Sequence, residues 1–333
     1  MEDLENKKYW IWFSLIKGLG CVRKNNLLKI YGTPEKIYKL SKRELLKVDG
    51  IGEETVTNII EAKNEKILNY HIKYMEENNI DIIHICEKSY PQALKQIYDA
   101  PASLYIKGNK EILNGKNIGI VGCRECTDYG KKAAKYFAYN LSKEKSVNIV
   151  SGLAKGVDSY AHWGSVGANI ECESTKNCGK KQDSCGKINN DCGKLNNNCG
   201  KINDDCGKLK NDCGKTIAIL GNGLDMIYPK ENIELANEII RNGGAIISEY
   251  PCGTKPDKMN FPARNRIISG LSKGIIVIEA KEKSGTLITV DFALEQGRDV
   301  FVVPGNINSI NSVGTNDLIK QGAKMVTSYE DIK

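Results

Sequence analysis

Six short apolar runs, each followed by a stretch with helical periodicity, occupy the chain from residue 116 onward. They are rich in isoleucine and valine and cover residues 118–121, 147–150, 216–220, 245–247, 275–278 and 300–303. Nearly continuous apolar strands that alternate with helices are typical of a parallel sheet with helices on both faces. The sequence therefore predicts an α/β domain built on a parallel sheet.

The first 66 residues instead show helical patterns and two similar glycine turns. Residues 16–20 (IKGLG) and 48–52 (VDGIG) share the order apolar, polar, Gly, apolar, Gly, and a helical pattern follows each turn. Such turns leave the first amides of the next helix open, as in the helix-hairpin-helix (SAM-like) unit. We predict a small helical domain over 1–66, a connector over 67–115 and a Rossmann-like domain over 116–333.

The two glycine turns differ in charge. Arg23 and Lys24 follow the first turn and favour a phosphate, whereas Glu53 and Glu54 follow the second and repel one. One interpretation is that the first hairpin contacts DNA phosphates, whereas the second hairpin has only a structural role. The alternative is a helical domain that only packs against its neighbour or docks a partner.

A repeat of seven residues interrupts the α/β pattern between residues 169 and 215. Cysteine recurs at 178, 185, 192, 199, 206 and 213, and Gly-Lys follows each one. The apolar spacing resembles a coiled-coil heptad, but one glycine per repeat costs a helix roughly 0.8–1 kcal/mol. Without paired Cys-x-x-Cys or nearby His, the repeat is a poor metal signature. We predict a poorly ordered, low-complexity insertion, with a marginal helical hairpin as the alternative.

Charge and composition narrow the setting without deciding it. The chain carries a formal net charge of +7, with 41% hydrophobic and 27% charged residues. This charge suits a polyanionic partner but does not require one. No run approaches the roughly 18 apolar residues of a membrane span, and the acidic N-terminus lacks the order of a signal peptide. We expect a cytoplasmic protein with no membrane partner.

The residues that follow the predicted strands outline a candidate site, because ligands of open parallel sheets bind at the carboxyl ends of the strands. Glycines and hydroxyl side chains recur at these ends, where backbone amides can approach an anion. Phe261 and Tyr250 offer faces for base stacking. So many cations along one edge predict an extended polyanion rather than a mononucleotide. These cations are Arg124, Lys155, Lys230, Lys258 and one or more of Arg264 and Arg266.

Several of these residues also have a structural alternative. Asn265 and Arg266 suit helix capping or the tying of loops, and Phe261 suits a core. Asp158 and His162 lie four residues apart on one helical face. This spacing favours a structural hydrogen bond over an acid–base pair, because no nucleophile is near in sequence.

The usual nucleotide fingerprints are missing from the chain. No G-x-G-x-x-G follows the first predicted strand, and no G-x-x-x-x-G-K-[ST] occurs. Histidine occurs only at positions 71, 84 and 162, so a catalytic histidine is hard to place. We expect no cofactor, no metal and no catalytic turnover.

The strand-end motifs, taken in order, resemble the DNA-processing protein A family, also called DprA or Smf. They include IVGCRECTDYG, IVSGLAKGVDSYAH, ISEYPCGTKP, FPARNRIISGLS and GTNDLIKQGA, and they span about residues 90–330 apart from the insertion. The resemblance implies a homodimeric Rossmann-like protein that binds and protects incoming single-stranded DNA. It further implies that the protein loads the RecA recombinase onto this DNA during natural transformation.

The resemblance also implies which residues contact DNA. The family's basic contacts fall on Arg124, Lys230 and Lys258. Cys123 stands where the family usually has serine, and the cysteine repeat lies outside the family pattern. The residues expected to line the same pocket are Ser151, Gly152, Asn265 and Arg266. The candidate DNA-binding set is therefore Arg124, Ser151, Gly152, Lys155, Lys230, Lys258, Phe261, Asn265 and Arg266.

Two other functions compete with this one. A nucleotide-processing Rossmann enzyme of the lysine-decarboxylase-like phosphoribohydrolase type carries a PGGxGTxxE signature, whereas residues 283–289 here are KSGTLIT. A pure docking protein, whose N-terminal domain recruits partners, is expected to show no salt-dependent affinity for DNA.

Overall fold

The computed structural model describes residues 7–179 and 213–332 of the chain. Its helices in these ranges are α1 (Lys8–Leu15), α2 (Cys21–Tyr31), α3 (Pro34–Tyr38), α4 (Lys42–Leu45), α5 (Glu53–Glu61), α6 (Glu65–Glu77), α7 (Gln92–Lys95), α8 (Asp128–Lys145), α9 (Val157–Gly179), α10 (Ile233–Arg241), α11 (Asn260–Leu271), α12 (Gly285–Glu295) and α13 (Val313–Lys320). Its strands are β1 (Ile80–His84), β2 (Ser103–Gly108), β3 (Asn117–Gly122), β4 (Asn148–Ser151), β5 (Thr216–Leu220), β6 (Ala245–Ser248), β7 (Gly274–Ile278), β8 (Asp299–Val302) and β9 (Lys324–Met325).

The described strands form one sheet in the order β1-β2-β6-β5-β4-β3-β7-β8-β9. From β6 across to β9, neighbouring strands pair in parallel. The six predicted runs are β3 to β8, and every residue of β5 and β7 is buried, as expected for strands covered on both faces. The prediction of a parallel sheet is confirmed.

The segment 67–115, interpreted from sequence as a connector, adds two strands to this sheet. β1 pairs with β2, and β2 pairs with β6, both in antiparallel fashion. Helix α7, between β1 and β2, is a single turn and cannot carry the chain across the sheet, so β2 returns beside β1 in the opposite direction. The sheet is therefore wider than predicted, while the domain boundaries at 66 and 115 stay a prediction.

Side chains occupy backbone groups at one edge of the sheet, and the strand at the other edge is very short. At edge strand β1, the Lys7 ammonium donates to the carbonyl of Ile82 at 2.6 Å, and the N–H of Ile82 donates to the Asp81 carboxylate at 2.8 Å. At the other edge, β9 has only two residues, Lys324 and Met325, and both are exposed.

The two glycine turns of the N-terminal region take the conformation that the sequence predicts. Gly18 and Gly50 have φ angles of +70° and +75°, which favour glycine. Gly20 and Gly52 then precede α2 and α5 with no side chain capping either helix. The first amides of both helices are therefore left without a capping side chain.

The N-terminal helices pack against the sheet. Trp12, Leu27 and Ile59 are fully buried and share one cluster of apolar contacts with Tyr105 of β2 and Leu220 of β5. Burial of each large apolar side chain contributes roughly 1.5–3 kcal/mol. This cluster fixes the N-terminal helices relative to the sheet.

Most of the predicted insertion at 169–215 lies outside the described residues. Its first part continues α9 as far as Gly179, and the described chain resumes at 213, before β5. Within the described ranges, no helix is both long and apolar enough to cross a membrane. The same residues hold no group of three or more acidic, histidine or cysteine side chains placed to bind a metal ion.

Candidate nucleic-acid interface

A groove with a volume of about 650 Å³ lies beyond the carboxyl ends of β3, β4 and β7. Its walls are the turn after β3, the start of α11 and the start of α12. This is the sheet edge at which the sequence predicts a binding site. The groove brings together four members of the predicted set, namely Arg124, Lys258, Phe261 and Asn265.

Two aromatic rings and a guanidinium group stack within the groove. The guanidinium carbon of Arg124 lies 5.6 Å from the centre of the Phe261 ring. The Phe261 ring is stacked on the Tyr228 ring, with 5.7 Å between ring centres and 24° between planes. Tyr228 is 47% exposed. Because every nucleic-acid base has a π-face, these rings offer a stacking surface for any base.

Lys258 and Lys281 add positive charge to the groove walls. Lys258 is exposed just before α11, and Lys281 follows β7. The Lys281 ammonium lies 3.4 Å from the Glu125 carboxylate, and both side chains reach solvent. Exposed ion pairs of this kind contribute little to the stability of the fold, and their members exchange partners readily. The groove therefore presents three cations, counted with Arg124, to an anionic ligand.

Arg264 lies at the base of the groove with its side chain buried. Its Nη1 donates to the carbonyl of Gly152 at 2.5 Å and to the carbonyl of Ile219, so it joins the ends of β4 and β5. Burial lowers the pKa of Arg264 to about 10, and the neighbouring Asp158 carboxylate opposes this shift. Arg264 therefore stays cationic at neutral pH.

Ser151 and Gly152 have partners inside the protein. Ser151 is fully buried, and its Oγ donates to the carbonyl of Ile120 at 2.6 Å. The N–H of Gly152 donates to the Asp158 carboxylate at 3.1 Å. A Cβ at Gly152 would lie 2.5 Å from the Arg264 guanidinium, so only glycine permits this approach. Gly152 therefore supports Arg264, Ser151 ties β4 to β3, and neither residue is among those that line the groove.

Lys155 and Lys230 lie outside the groove on exposed turns. The Lys155 ammonium lies 2.5 Å from the Glu231 carboxylate, with both side chains more than half exposed. Lys230 is exposed at the start of the 3-10 turn Lys230–Asn232. These two lysines flank the carboxyl ends of β4 and β5 but do not line the groove.

Arg266 does not reach the groove. Two residues along α11 turn the side chain through about 200°, so Arg264 and Arg266 point to opposite sides. The Arg266 guanidinium donates to the Asp99 and Glu249 carboxylates at 2.8 Å and 2.7 Å, and its side chain is 5% exposed. Burial favours a lower pKa for Arg266, but the Glu249 carboxylate outweighs it and raises this pKa. The structure supports the alternative interpretation, in which Arg266 ties elements together.

A larger cleft of about 1130 Å³ lies between the N-terminal helices and the loop after β6. The first glycine turn, at 18–20, and Tyr250 line this cleft rather than the groove. Cys21, the first residue of α2, lies against the sheet domain, with its thiol 3.4 Å from the Glu249 carboxylate. Arg266 donates to the same thiol at 3.0 Å. The first hairpin therefore faces the sheet domain, which is the packing role that the sequence left open.

Asp158 and His162 are buried and have separate partners. The His162 Nδ1 lies 2.6 Å from the Thr216 hydroxyl, whereas Asp158 accepts from the chain at Gly152. Burial, assisted by the Arg264 charge, lowers the pKa of His162 to about 3. Burial likewise raises the pKa of Asp158. Both side chains make structural hydrogen bonds, as expected, but with Gly152 and Thr216 rather than with each other.

A buried carboxylate occupies the N-terminus of α8. Glu279 accepts from the Thr127 backbone N–H at 2.8 Å and from the Thr127 hydroxyl at 2.5 Å. In dinucleotide-binding sheets this helix end holds the pyrophosphate. A Cβ at Gly130 would collide with the Glu279 carboxylate, so glycine permits the contact. A phosphate at this helix end is excluded while Glu279 occupies it.

Comparison with known proteins assigns the chain to a family. The family model described as DNA recombination-mediator protein A matches residues 81–183 and 208–333. The chain belongs to this family. A second model, a SAM-like helix-hairpin-helix tandem, matches residues 14–64. The predictions of a helix-hairpin-helix region and of the family are therefore confirmed, and the family match leaves out residues 184–207 within the cysteine repeat.

Members of this family from several bacteria are similar to most of the chain. The DNA processing protein DprA of Bacillus subtilis is 39% identical over 85% of this chain and 80% of its own length. DprA of Streptococcus pneumoniae is 40% identical over 74% of this chain and 71% of its own length. The Smf protein of Escherichia coli is 35% identical over 78% of this chain and 57% of its own length.

Two solved structures of family members share the fold. The DprA structure from Streptococcus pneumoniae has a TM-score of 0.74 and 32% identity, and the match covers 98% of this chain and 96% of that one. The Helicobacter pylori protein, described through its single-stranded DNA binding mode, has a TM-score of 0.56 and 27% identity. That match covers 76% of this chain and 93% of the other. The Rossmann-like fold after a small helical domain is confirmed.

Sequence reasoning missed two groove residues. Tyr228 stacks on Phe261, although the sequence singled out only Lys230 from the same YPK motif. Lys281 lines the groove three residues after β7. Its position directly behind a predicted strand was the available signal, because the same rule identified Arg124.

Proposed function

We propose that this family member binds single-stranded DNA in the groove and acts as a recombination mediator. One observation carries the proposal: Arg124, Phe261 and Tyr228 stack side by side in one groove. A cation beside exposed rings binds the phosphate and the base of a nucleotide at the same time. Single strands fit this arrangement because their bases are free to stack on protein, whereas duplex bases stack on one another.

The DNA contacts fall into two groups in this proposal. Arg124, Lys258, Phe261 and Asn265 contact DNA within the groove, with Lys281 and Tyr228 beside them. Lys155 and Lys230 extend the positive edge beyond the groove. The remaining predicted residues do not contact DNA in this proposal, because Ser151 and Gly152 lie behind the groove and Arg266 pairs with Asp99 and Glu249.

Recombination mediation requires that bound DNA be passed to a recombinase. We include in the proposal that the protein protects incoming single strands and loads RecA onto them during natural transformation. The support is the membership of the recombination-mediator family. The test is RecA filament assembly, followed by its ATP hydrolysis, on DNA coated with single-strand-binding protein. RecA activity that does not rise when this protein is added contradicts the loading role. A cytoplasmic location is part of the same proposal.

The homodimer expected from the family is also part of the proposal. Two isoleucines on the loop between β8 and α13, Ile307 and Ile310, are 88% and 71% exposed. In this proposal a second copy of the chain covers these two side chains. Sedimentation of the full chain tests the proposal, and we expect a dimer that Ile310→Glu converts to a monomer. A wild-type monomer at the concentrations used for DNA binding contradicts it.

Catalytic turnover has little support at this site. The Glu279 carboxylate holds the helix end at which a nucleotide phosphate binds in related sheets. Asp158 and His162 are occupied by structural hydrogen bonds. We therefore propose that the groove binds without reacting, and that the phosphoribohydrolase alternative does not apply. Steady release of free base from nucleoside monophosphates would contradict this conclusion.

Titration with oligo-dT at several salt concentrations tests DNA binding. We expect affinity to fall steeply with salt, because phosphate contacts release counterions. Arg124→Ala and Lys258→Ala should each weaken binding and lower the salt slope by about one. Lys42→Ala, on exposed helix α4 of the N-terminal region, is the matched control and should leave both unchanged. Absent or salt-independent binding would overturn the proposed function.

A further inference from the structure

A second surface that combines lysines with aromatic rings lies on helices α8 and α9. This α8–α9 face consists of Lys131, Lys132, Lys135, Tyr136, Tyr160 and Trp163. Lys132, Lys135 and Tyr136 are exposed, and the other three are half-buried. None of these residues lines the groove. The face therefore needs its own explanation.

Two lysines of this face are held over one aromatic ring. The ammonium groups of Lys131 and Lys135 lie 5.9 Å and 5.4 Å from the centre of the Tyr160 ring. The two lysines are one helical turn apart on α8, and Tyr160 lies in the first turn of α9. Contacts between cations and rings fix both partners in place at a cost in side-chain freedom. The positive charge is thereby concentrated over the first two turns of α8.

An open cavity of about 560 Å³ lies beside these lysines. Lys132, Lys135, Tyr136 and Trp163 contribute to its lining, and Gly167 of α9 opens it further. A Cβ added at Gly167 would meet no atom within 4 Å. The cavity therefore offers aromatic walls with ammonium groups at its rim, which suits a flat ring that carries a negative charge nearby.

The charge balance of the face is positive. In the part of the chain that the structure describes, Asp128 is the acid that forms an ion pair with this face, and its carboxylate lies 2.8 Å from the Lys131 ammonium. Among the described residues, no carboxylate forms an ion pair with Lys132 or Lys135. Two lysines thus remain available to an anion after the one acid is paired.

The α8–α9 face begins next to the groove. Arg124 lies in the turn that leads into α8, and Lys135 lies in the second turn of that helix. At 1.5 Å per residue, the first two turns of α8 extend about 10 Å from its start. A strand that leaves the groove past Arg124 along α8 would pass Glu125 and Asp128, which pair with Lys281 and Lys131, and then reach Lys132 and Lys135.

We propose that the α8–α9 face binds a second stretch of the same single-stranded DNA that occupies the groove. Phosphates contact Lys132 and Lys135, and bases stack on Tyr136 and Trp163. This proposal rests on the proposed function and lengthens its binding site. Lysines beside aromatic rings favour single-stranded nucleic acid over an acidic peptide, because every nucleotide brings a phosphate and a flat base together.

The test compares short and long oligonucleotides by fluorescence anisotropy on the full chain. An oligo-dT of about six nucleotides fits one binding groove, and one of about twenty also covers a second site, given the usual 4–16 nucleotides per site. We expect Lys132→Glu/Lys135→Glu to leave the affinity for the short oligonucleotide within about twofold. The same variant should lower the affinity for the long oligonucleotide roughly tenfold. The salt slope of that binding should fall by one to two.

The matched control reverses two exposed charges elsewhere. Lys42→Glu/Lys47→Glu makes the same change in net charge on the N-terminal helices. We expect this control variant to leave the affinity for both oligonucleotides unchanged. If both double variants weaken both lengths equally, a general field effect explains the result and the proposal is wrong. Thermal unfolding of each variant confirms that the fold is retained.

The remaining outcomes separate this proposal from the proposed function. Unchanged long-oligonucleotide affinity in Lys132→Glu/Lys135→Glu, with loss in Arg124→Ala, overturns the α8–α9 face and leaves the groove intact. No binding of either length by the wild-type chain overturns the groove itself. If the double variant keeps long-oligonucleotide affinity but loses binding to poly-L-glutamate, the face serves an acidic protein and our proposal is wrong.

Discussion

Glu279 holds both ends of the turn that presents Arg124. Its carboxylate accepts from Thr127 N–H at 2.8 Å, and its carbonyl accepts from Cys123 N–H at 2.8 Å. Glu279 itself has a φ angle of +54°, an uncommon conformation for a residue with a side chain. The turn after β3 is thus fixed by the residue that follows β7. Arg124 is presented to the groove from a backbone that is ordered before any ligand arrives.

A methyl group at Gly130 tests this arrangement. In Gly130→Ala, the added Cβ collides with the Glu279 carboxylate. We expect the free energy of unfolding to fall by about 1–3 kcal/mol, as overpacking does elsewhere, and oligo-dT affinity to fall with it. Urea denaturation measures the change. For the unfolding measurement alone, Gly167→Ala in α9, where the new Cβ meets no atom, is the control and should stabilise its helix by about 1 kcal/mol. Equal behaviour of the two variants would contradict the account.

Substitutions of Arg264 and Arg124 should have different effects, the first on stability and the second on DNA binding. Arg264→Met removes donors from the carbonyls of Gly152 and Ile219 and leaves the buried Asp158 without its cation. We expect a loss of about 3–5 kcal/mol in the free energy of unfolding, typical of a broken buried charge interaction. Arg124→Ala should instead keep the urea midpoint and lose DNA affinity, because that side chain is exposed. Similar urea midpoints for the two variants would show that Arg264 is not structural.

The contacts of Arg266 predict that a second substitution, at Glu249, restores much of the stability lost when Arg266 is replaced. Arg266→Ala leaves Glu249, with its side chain 10% exposed, without a cationic partner, and should cost about 3–5 kcal/mol of stability. Arg266→Met combined with Glu249→Gln removes both charges and should recover much of that loss. Thermal unfolding gives the comparison. We also expect this double variant to keep oligo-dT affinity within about threefold, or ~0.6 kcal/mol. A large loss of affinity at retained stability would place Arg266 in DNA contact after all.

His162 predicts a pH dependence with a defined sign. In the fold its pKa is lowered to about 3 by burial, from 6.5 in an unfolded chain. Below pH 6.5 His162 is protonated in the unfolded state but stays neutral in the folded state. The free energy of unfolding therefore falls as the pH drops toward 3. The slope from this group is about 1.4 kcal/mol per pH unit.

The control for this prediction is His162→Asn, whose side chain can still reach the Thr216 hydroxyl. The raised pKa of Asp158 has the opposite sign, since its extra proton favours the fold at low pH. Both proteins share that contribution, so the difference between them isolates His162. Urea titrations from pH 4.5 to 6.5 should show the wild type losing stability faster than the variant. Parallel curves would mean that the histidine is charged inside the fold.

The fold was largely predictable because its strands are buried on both faces. The isoleucine and valine runs of β5 and β7 admit little other than a covered parallel sheet. Strands β1 and β2 were not predicted as part of the sheet, since they are antiparallel and are not each followed by a long helix as β3 to β8 are. The two-residue β9 is too short to leave any pattern.

The candidate site was predictable where residues follow strands directly, and less so within helices. Arg124 and Lys258 reach the groove because the ends of neighbouring parallel strands converge. Arg264 and Arg266 lie only two residues apart, so the phase of α11 decides which one faces the groove. That phase depends on how the helix packs against Leu94 and Ile97, which the local sequence does not contain.

The two edge strands of the sheet, β1 and β9, limit the ways in which copies of this protein can associate. At β1, Lys7 and Asp81 already use the carbonyl and N–H of Ile82, and β9 offers two residues, one of them a lysine. Short, charged or occupied edges are poor templates for another strand. Growth of the sheet from one molecule into the next, and fibrils built on strand addition, are therefore disfavoured at these two described edges. We therefore expect an oligomer of this protein to form through side-chain surfaces, with each sheet contained in a single chain.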